Sequence, residues 1–446
     1  MDQIILPENV IWILETLESR GHEAWLVGGP VRDMVMGKIP HDYDITTSAL
    51  PGDVEELFKA EGCAVAETGL KHGTVTVVKD HIPYEITTYR CDGEYSDNRH
   101  PDSVLFTRDI KEDLARRDIT INAMAWSPAR GLLDLFGGQE DIEKGLIRAV
   151  GDPARRFSED ALRIMRVLRF SSVLGFKIDG PTALCLHSQK ELLKNIASER
   201  IFSEFKQLLC GNSVMAVLDE FPDVPGVFIP EILPMVGFDQ RNKHHIYDVW
   251  QHTIRVIDGV PPKDYLRLAA LFHDMGKPPA FAIGEDGQGH FHGHPKISCQ
   301  IAGEALSYFN SDNDTRHKVL ELVKHHDTPV PTDKKGVKRF LNRMGEDLFF
   351  DLVALARADN LAQSPEYRDR QHNLDISQQL AHEIIAEGQA FSLKDLAVNG
   401  RDLIDAGITP GPRLGSILNE LLEKVIDEEL PNEKEILLKE AVKHAL

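Results

Sequence analysis

Residues 26–47 read LVGGPVRDMVMGKIPHDYDITT. An apolar run stops at Gly28-Gly29, a helix with Pro30 in its first turn follows, and a second β-type run carries Asp42 and Asp44. Two adjacent glycines let backbone N–H groups approach an anion at a helix N-terminus, where the helix dipole favours negative charge. Arg32, one turn on, can clamp a phosphate through two N–H groups. Side chains alternate along a strand, so Asp42 and Asp44 share one face and Tyr43 turns into the fold. Such a pair repels itself unless a cation or protons neutralise it, so it either holds Mg2+ or lies at a solvated edge. The run YEITTYR offers a third acid, Glu85, which points toward the aspartates or sits on an edge strand. Cations held by these acids would orient an attacking 3′-hydroxyl and neutralise charge on an α-phosphoryl group and its pyrophosphate leaving group.

Around this stretch, residues 8–138 mix short β-type runs (AWLVGG, TVTVV, IPYEITTYR) with amphipathic segments, an α/β or α+β head. From residue 139 the pattern turns helical, as in ALRIMRVLRFSSVL and LRLAALFHDMG. A Pro-rich stretch, FPDVPGVFIPEILP at 221–234, interrupts the helices, and GRDLIDAGITPGPRLG at 400–415 precedes a charged tail. We divide the chain into a head (1–138), a helical neck (139–210), a body (211–385) and a tail (386–446).

The 446 residues carry 50 Lys+Arg against 71 Asp+Glu, a formal charge of -21, which argues against general coating of nucleic acid but allows a local basic groove. Five scattered cysteines without a C-x-x-C spacing indicate neither a disulfide framework nor a cysteine zinc site, and fit a reducing cytosol. The start lacks a basic-then-apolar leader, and no stretch of about 18 uncharged apolar residues occurs, so we expect a cytoplasmic protein with no membrane partner.

The basic groove is placed between residues 148 and 169, where six arginines face three acids. LARRDITINAMAW sets Arg116, Arg117 and Asp118 at an expected helix start, and DPARRFSEDALRIMRVLRF follows. Asp160 and Arg163, three apart on one expected helix, present a carboxylate beside a guanidinium. Cytosine and adenine both pair an amino donor with a ring-nitrogen acceptor, whereas uracil and guanine reverse that order. The pair therefore accepts C and A and leaves U and G with donor facing donor, at several kcal/mol in a dry pocket. Arg166 and Arg169 continue the ridge, with Arg169 drifting toward a phosphate.

Ten of the 19 histidines fall between 244 and 326. His252 lies on an amphipathic helix, His273 and Asp274 stand together near a helix end, and His290, His292, His294, His325, His326 and Asp359 follow. Singly, each is an ordinary surface or core residue; together, neutral imidazoles with carboxylates suit Mn, Fe, Co, Ni or Zn better than Mg2+.

LVGGPVRD, PHDYDITT, KHGTV, YEITTYRCDGEYSDNRHPDSVLFT, EDLARRDITINAMA and DPARRFSEDALRIMRVLRF recur in order over about residues 26–170. The chain thereby resembles the bacterial tRNA nucleotidyltransferase (CCA-adding enzyme) and poly(A) polymerase family. The resemblance implies an α+β fold, with a polymerase-beta-like head built on a mixed sheet and helical neck, body and tail. It implies Gly28, Gly29 and Arg32 at the triphosphate, Asp42 and Asp44 at Mg2+ with Glu85 as third carboxylate, and Arg117, Asp160, Arg163, Arg166 and Arg169 at the nucleotide. The implied reaction is template-independent addition of C, C and A to tRNA from CTP and ATP; the alternatives are an A-adding enzyme or poly(A) polymerase, or an HD phosphohydrolase with an RNA-binding head. DGEYSDNRHPDSVLF resembles the family's flexible loop, with His100 where a second arginine is expected. The order H…HD…H…H…D resembles the HD metal-dependent phosphohydrolase domain. That likeness implies one metal at His252, His273, Asp274 and Asp359 and a second completed by His294 and His325. His326 is not separable from His325 at this level. Lys277 would steady a phosphate oxygen, and the body would act as a phosphatase or cyclic phosphodiesterase.

Overall fold

The computed structural model describes residues 6–69, 73–93, 104–285 and 287–445. Residues 94–103 of the expected flexible loop, His100 among them, lie outside these. The chain forms two compact units, Met1–Pro230 and Glu231–Leu446. The break falls inside the Pro-rich stretch 221–234. Residues after 211 stay with the first unit because the Ser213 N–H donates to the Ser172 carbonyl at 2.9 Å and seats the helix Val214–Glu220 on the helix Leu162–Leu174.

The first unit carries strands β1 (Ala24–Val27), β2 (Ile45–Thr47), β3 (Ala64–Gly69), β4 (Thr74–Lys79), β5 (Ile82–Thr88), β6 (Arg90–Asp92), β7 (Val104–Phe106), β8 (Met124–Ser127) and β9 (Gly131–Asp134). Seven of them form one sheet in the order β3-β4-β5-β2-β1-β8-β9. The pairings are antiparallel except β2 with β5, which run parallel with Ile45 opposite Ile86. The sheet is thus mixed, as expected.

Alternation gives its two faces different work. Leu26, Ile45, Val75, Val77 and Ile86 point to one side and are covered by Val10, Ile13, Leu14 and Leu17 of the helix Glu8–Ser19 and by Val54, Leu57 and Phe58 of the helix Pro51–Ala60. Burying that many aliphatic side chains, at roughly 1.5–3 kcal/mol each, is what fixes the strand register. The residues between them must therefore face the other way. A second, smaller cluster of Trp25, Val27, Tyr89, Ile110, Leu114 and Ala125 covers part of that opposite face.

Beyond residue 139 helices dominate, with two additions that sequence periodicity did not suggest: Leu146–Ile147 pairs parallel with Lys177–Ile178, and Ala282–Ile283 pairs antiparallel with Gly289–His290. Each pair is only two residues long, too short to register as an alternating pattern. The second unit stacks the helices Val249–Gly259, Asp264–Phe272, His294–Tyr308, Asn313–His325, Lys334–Leu361 and Gln371–Ala386. Its tail has a core of its own, in which Leu396, Leu403, Ile417, Leu421, Ile426 and Leu437 pack together. No helix among the described residues is long and apolar enough to cross a membrane.

Candidate functional site

The sheet's ladder decides where the head's acids stand. Asp42 and Asp44 lie in the lead-in to β2 rather than on it, although the Asp44 carbonyl already accepts from the Val27 N–H at 3.1 Å. Both are exposed and Tyr43 between them packs against the core, so the alternation expected of a strand holds. Ile45 stands opposite Ile86, which brings residue 44 level with residue 85 on the face away from the core. Glu85, exposed, shares that face with Asp44. Crowding by the protein and the neighbouring Asp42 carboxylate raise the Asp44 carboxyl above the ordinary range, with the Arg117 guanidinium pulling the other way. A carboxylate whose charge the protein disfavours chiefly by crowding, with a second carboxylate beside it, fits a cation-binding edge.

Gly28 caps the helix Gly29–Val35 with φ 76°, a conformation that side chains rarely adopt, and a Cβ there would stand 2.9 Å from Arg117 Nη1. The glycine thus makes room for a guanidinium as well as for the turn. Arg32 donates to Asn122 Oδ1 at 3.0 Å and to Asp33 Oδ1 at 2.9 and 2.7 Å, and its guanidinium lies 5.4 Å from the Phe170 ring centre.

Arg116, Arg117 and Asp118 follow the C-terminus of the short helix Ile110–Ala115, not a helix start as expected. The first helix turn is capped upstream by Asp109, whose carboxylate takes the Lys111 N–H. Asp113, fully buried, accepts from Arg116 at 2.8 and 3.0 Å and lies 3.6 Å from Arg117. Arg116, Arg117, Asp118, Asp160, Leu162, Arg163, Arg166 and Arg200 together line a cleft of about 260 Å3. Four of the five residues expected at the nucleotide, Arg117, Asp160, Arg163 and Arg166, meet there. Arg169 does not line it: Glu204 at 3.0 Å and Gln207 at 2.9 Å hold it aside, over the Phe170 ring.

Asp160 and Arg163 are not on one helix. Asp160 ends the helix Pro153–Glu159 with extended backbone, and its Oδ1 takes the Leu162 N–H at 3.1 Å at the start of the next helix. Arg163 is buried; its Nη1 donates to Arg156 O at 3.0 Å and Glu159 Oε2 at 2.7 Å, and its Nη2 to Arg116 O at 2.8 Å. Three of the guanidinium's five N–H groups are committed, which leaves two as donors. Asp118, also buried, takes Arg166 Nε at 2.7 Å; burial resists its ionisation, but that charge and hydrogen bond prevail and hold the carboxyl below its ordinary value. Sequence reasoning passed over Asp113, Glu159, Arg200 and Glu204; the i, i+4 pair Arg200 and Glu204 was the available signal.

In the second unit, His252, His273, Asp274 and Asp359 bring ligand atoms within 4.8 Å of one another, and so do Asp274, His294 and His326. The head acids are not among these tighter sets. His252 Nε2 lies 2.9 Å from Asp359 Oδ1 and 3.5 Å from Asp274 Oδ2, and His273 Nε2 lies 3.2 Å from Asp274 Oδ2. On the other side, His294 Nε2 stands 3.3 Å from Asp274 Oδ1 and 3.1 Å from His326 Nε2. His325 points elsewhere, to Glu321 at 3.6 Å, so the geometry replaces it by His326. Adjacent helical residues diverge by about 100°, and only one of the two can face the cluster.

The Nδ1 atoms of His252, His273, His294 and His326 lie 3.4, 2.6, 2.9 and 2.7 Å from the carbonyls of Ala362, Ala270, Phe291 and Val323. Donation of Nδ1–H there turns four Nε2 lone pairs inward, the orientation that such a hydrogen bond to the far ring nitrogen gives a metal-binding imidazole. His252 Nε2 and His273 Nε2 are buried and make no regular hydrogen bond. Two facing Nε2 acceptors and orphaned buried atoms are what a bound cation would satisfy. Lys277 Nζ reaches Asp274 Oδ2 at 2.6 Å and Gln240 Oε1 at 3.1 Å, and lines, with Arg370, His245 and His290, an adjoining cavity of about 360 Å3.

Residues 24–148 match the family model described as Poly A polymerase head domain, residues 175–221 that of an RNA and SrmB-binding site of polymerase A, and residues 296–441 that of tRNA nucleotidyltransferase domain 2. The first unit's mixed sheet, acid edge and arginine cleft therefore belong to the nucleotidyltransferase class. The chain is 32% identical to the CCA-adding enzyme of Pediococcus pentosaceus over 97% of its own length and 96% of that protein's, and 34% identical to that of Levilactobacillus brevis over 96% and 95%. It belongs to the family of CCA-adding enzymes. Among solved structures, that of the Bacillus stearothermophilus CCA-adding enzyme in complex with CTP superposes with a TM-score of 0.73 at 27% identity, covering 99% of this chain and 98% of that one. The Thermotoga maritima CCA-adding enzyme complexed with tRNA shares the fold, with a TM-score of 0.61 at 19% identity over 99% and 97% of the two chains.

Proposed function

We propose that this chain adds C, C and A to the 3′ end of tRNA without a nucleic-acid template, using CTP and ATP. The cleft shared by Arg117, Asp160, Arg163 and Arg166 carries the proposal, in a chain that aligns almost throughout with CCA-adding enzymes. Asp160 keeps Oδ2 free of hydrogen bonds while Oδ1 is tied to the backbone, so one carboxylate oxygen can accept the amino group of cytosine or adenine. The two uncommitted N–H groups of Arg163 suit the ring nitrogen. Gly28, Gly29, Arg32 and Arg117 form a cationic floor for the triphosphate. Asp42 and Asp44, with Glu85 beside them, would hold Mg2+, which when bound neutralises charge on the phosphoryl group and eases loss of the 3′-hydroxyl proton. Five scattered cysteines accord with a reducing cytoplasm as its place of work.

The test is extension of three tRNA transcripts, ending before CCA, after the first C and after CC. Growth of all three with CTP and ATP is expected. Extension of the last alone would indicate an A-adding enzyme, and long A tails on many RNAs a poly(A) polymerase.

One observation favours a second activity: the four imidazoles locked with Nε2 inward around Asp274. We assign them, with Asp359, to a transition-metal centre of the HD phosphohydrolase kind, in which the bound metal would supply Lewis-acid activation for phosphoester hydrolysis. Lys277 and Arg370 at its cavity would hold the phosphate oxygens. Hydrolysis of a phosphomonoester and a 2′,3′-cyclic phosphate by the protein loaded with Ni, Co, Mn, Fe or Zn tests this; His273→Ala should abolish it and leave tRNA extension intact.

A further inference from the structure

The cleft in the first unit is not built from the expected nucleotide residues alone. Behind it runs the helix Ser198–Leu209, whose apolar face, Ile201, Phe205 and Leu208, is buried. Arg200, Glu204 and Gln207 lie four and then three residues apart, so they form one stripe on that helix. The whole stripe is used against the nucleotide residues. Arg200 Nη2 stands 3.6 Å from Asp160 Oδ2, the oxygen left over after Oδ1 has taken the Leu162 N–H. Glu204 lies 3.0 Å from Arg169 Nε and 3.9 Å from Arg166 Nη1, and Gln207 accepts from Arg169 Nη1 at 2.9 Å. Arg200 Nη1 and Glu204 Oε2 are buried without a hydrogen-bond partner, so the stripe holds its partners by charge at short range rather than by saturated hydrogen bonds.

We infer that Arg200 and Glu204 are positioning residues that set which nucleotide the cleft accepts. Acceptance of cytosine and adenine needs Asp160 ionised and turned into the cleft as an acceptor. Arg200 holds it turned there from behind, and it is the one cleft-lining residue on the helix Ser198–Leu209. Without that partner the Asp160 carboxylate can turn away from the cleft, and the acceptor that excludes uracil and guanine is lost. Glu204 acts on the other half of the array. Close to it stand Arg166 and Arg169, two like charges that would otherwise move apart or compete for Asp118 and for the substrate's phosphates. A carboxylate shared between them keeps Arg166 on Asp118 and Arg169 out of the cleft. The inference rests on the reading of the first unit as a CTP- and ATP-using nucleotidyltransferase.

The experiment uses the full chain and a tRNA transcript ending before CCA, with CTP, ATP, UTP and GTP offered singly. Arg200→Gln and Glu204→Gln should leave kcat for CTP within about threefold of the wild type, raise KM for CTP about tenfold, and raise the UTP-to-CTP ratio of kcat/KM about tenfold. Arg200→Lys, which keeps the cation, should restore most of the discrimination. Should either glutamine variant fail to fold by circular dichroism, Arg200→Lys together with Glu204→Asp provides the comparison, expected to shift KM but not kcat. Variants whose KM and nucleotide preference match the wild type, or whose kcat falls together with melting temperature at unchanged preference, would overturn the positioning role. A wild-type chain that extends no tRNA end would remove the underlying reading and this inference with it, an outcome visible before any variant is made.

Discussion

Asp113→Ala should destabilise the first unit by about 3–5 kcal/mol, the usual consequence of breaking a buried ion pair from one side. The Asp113 carboxylate is fully buried, takes Arg116 Nε and Nη2 at 3.0 and 2.8 Å and the Arg90 N–H at 3.3 Å, and stands 3.6 Å from Arg117. The side chains of Arg116 and Arg117 are only 19% and 21% exposed, so water replaces the lost partner only in part. Two adjacent guanidiniums would be left facing each other at the cleft they line. For a unit of this size each kcal/mol moves the melting temperature by roughly 2–4 °C, so a fall of about 6–20 °C is expected by scanning calorimetry. Asp113→Asn, which keeps the shape and one acceptor, should lose less. A fall corresponding to under about 1 kcal/mol for the alanine variant would refute the view that Asp113 holds the arginine pair in place.

Gly28→Ala imposes a side chain on a backbone with φ 76° and pushes against Arg117 Nη1 at 2.9 Å, so we expect a loss of about 1–3 kcal/mol in thermal or urea melts and a raised KM for CTP. His326→Ala should lower the metal retained by the second unit, measured by mass spectrometry after gel filtration, whereas His325→Ala, whose imidazole faces Glu321, should leave it unchanged. Burial opposes ionisation of Asp118, but Arg166 depresses its folded pKa below the unfolded value. Its contribution is therefore complete above the unfolded pKa of about 4 and is lost as pH falls through the folded value. Urea midpoints taken from about pH 6 downward should fall less steeply below about pH 4 for Asp118→Asn than for the wild type.

Much of this was open to reading in the linear chain, and the exceptions have physical causes. The head's mixed sheet and its acid edge follow from alternation around Tyr43 and from the apolar runs on either side. DPARRFSEDALRIM keeps a helical period through the junction at Asp160 and so predicts a continuous helix; the aspartate before Ala-Leu is the sign of a new N-terminus. Arg116 to Asp118 follow a helix rather than open one because that helix, Ile110–Ala115, is short and its Asp109 cap lies upstream of LARRDITINAMAW. His325 and His326 differ only in helical phase, which local sequence does not set, although Glu321 one turn before His325 hinted at a surface pair. Arg200 and Glu204 meet their partners across some forty residues of chain, a distance over which pattern says nothing about contact.

The parallel rungs of β2 and β5 have a consequence for how this protein can change. Asp44 and Glu85 stand level because Ile45 and Ile86 face each other, not because of anything in the loops, helix and hairpin between them. Insertions or deletions from residue 48 to residue 81 that spare the ladder would leave both carboxylates where they are. Its reactive edge is insulated from the drift of the segments that connect it.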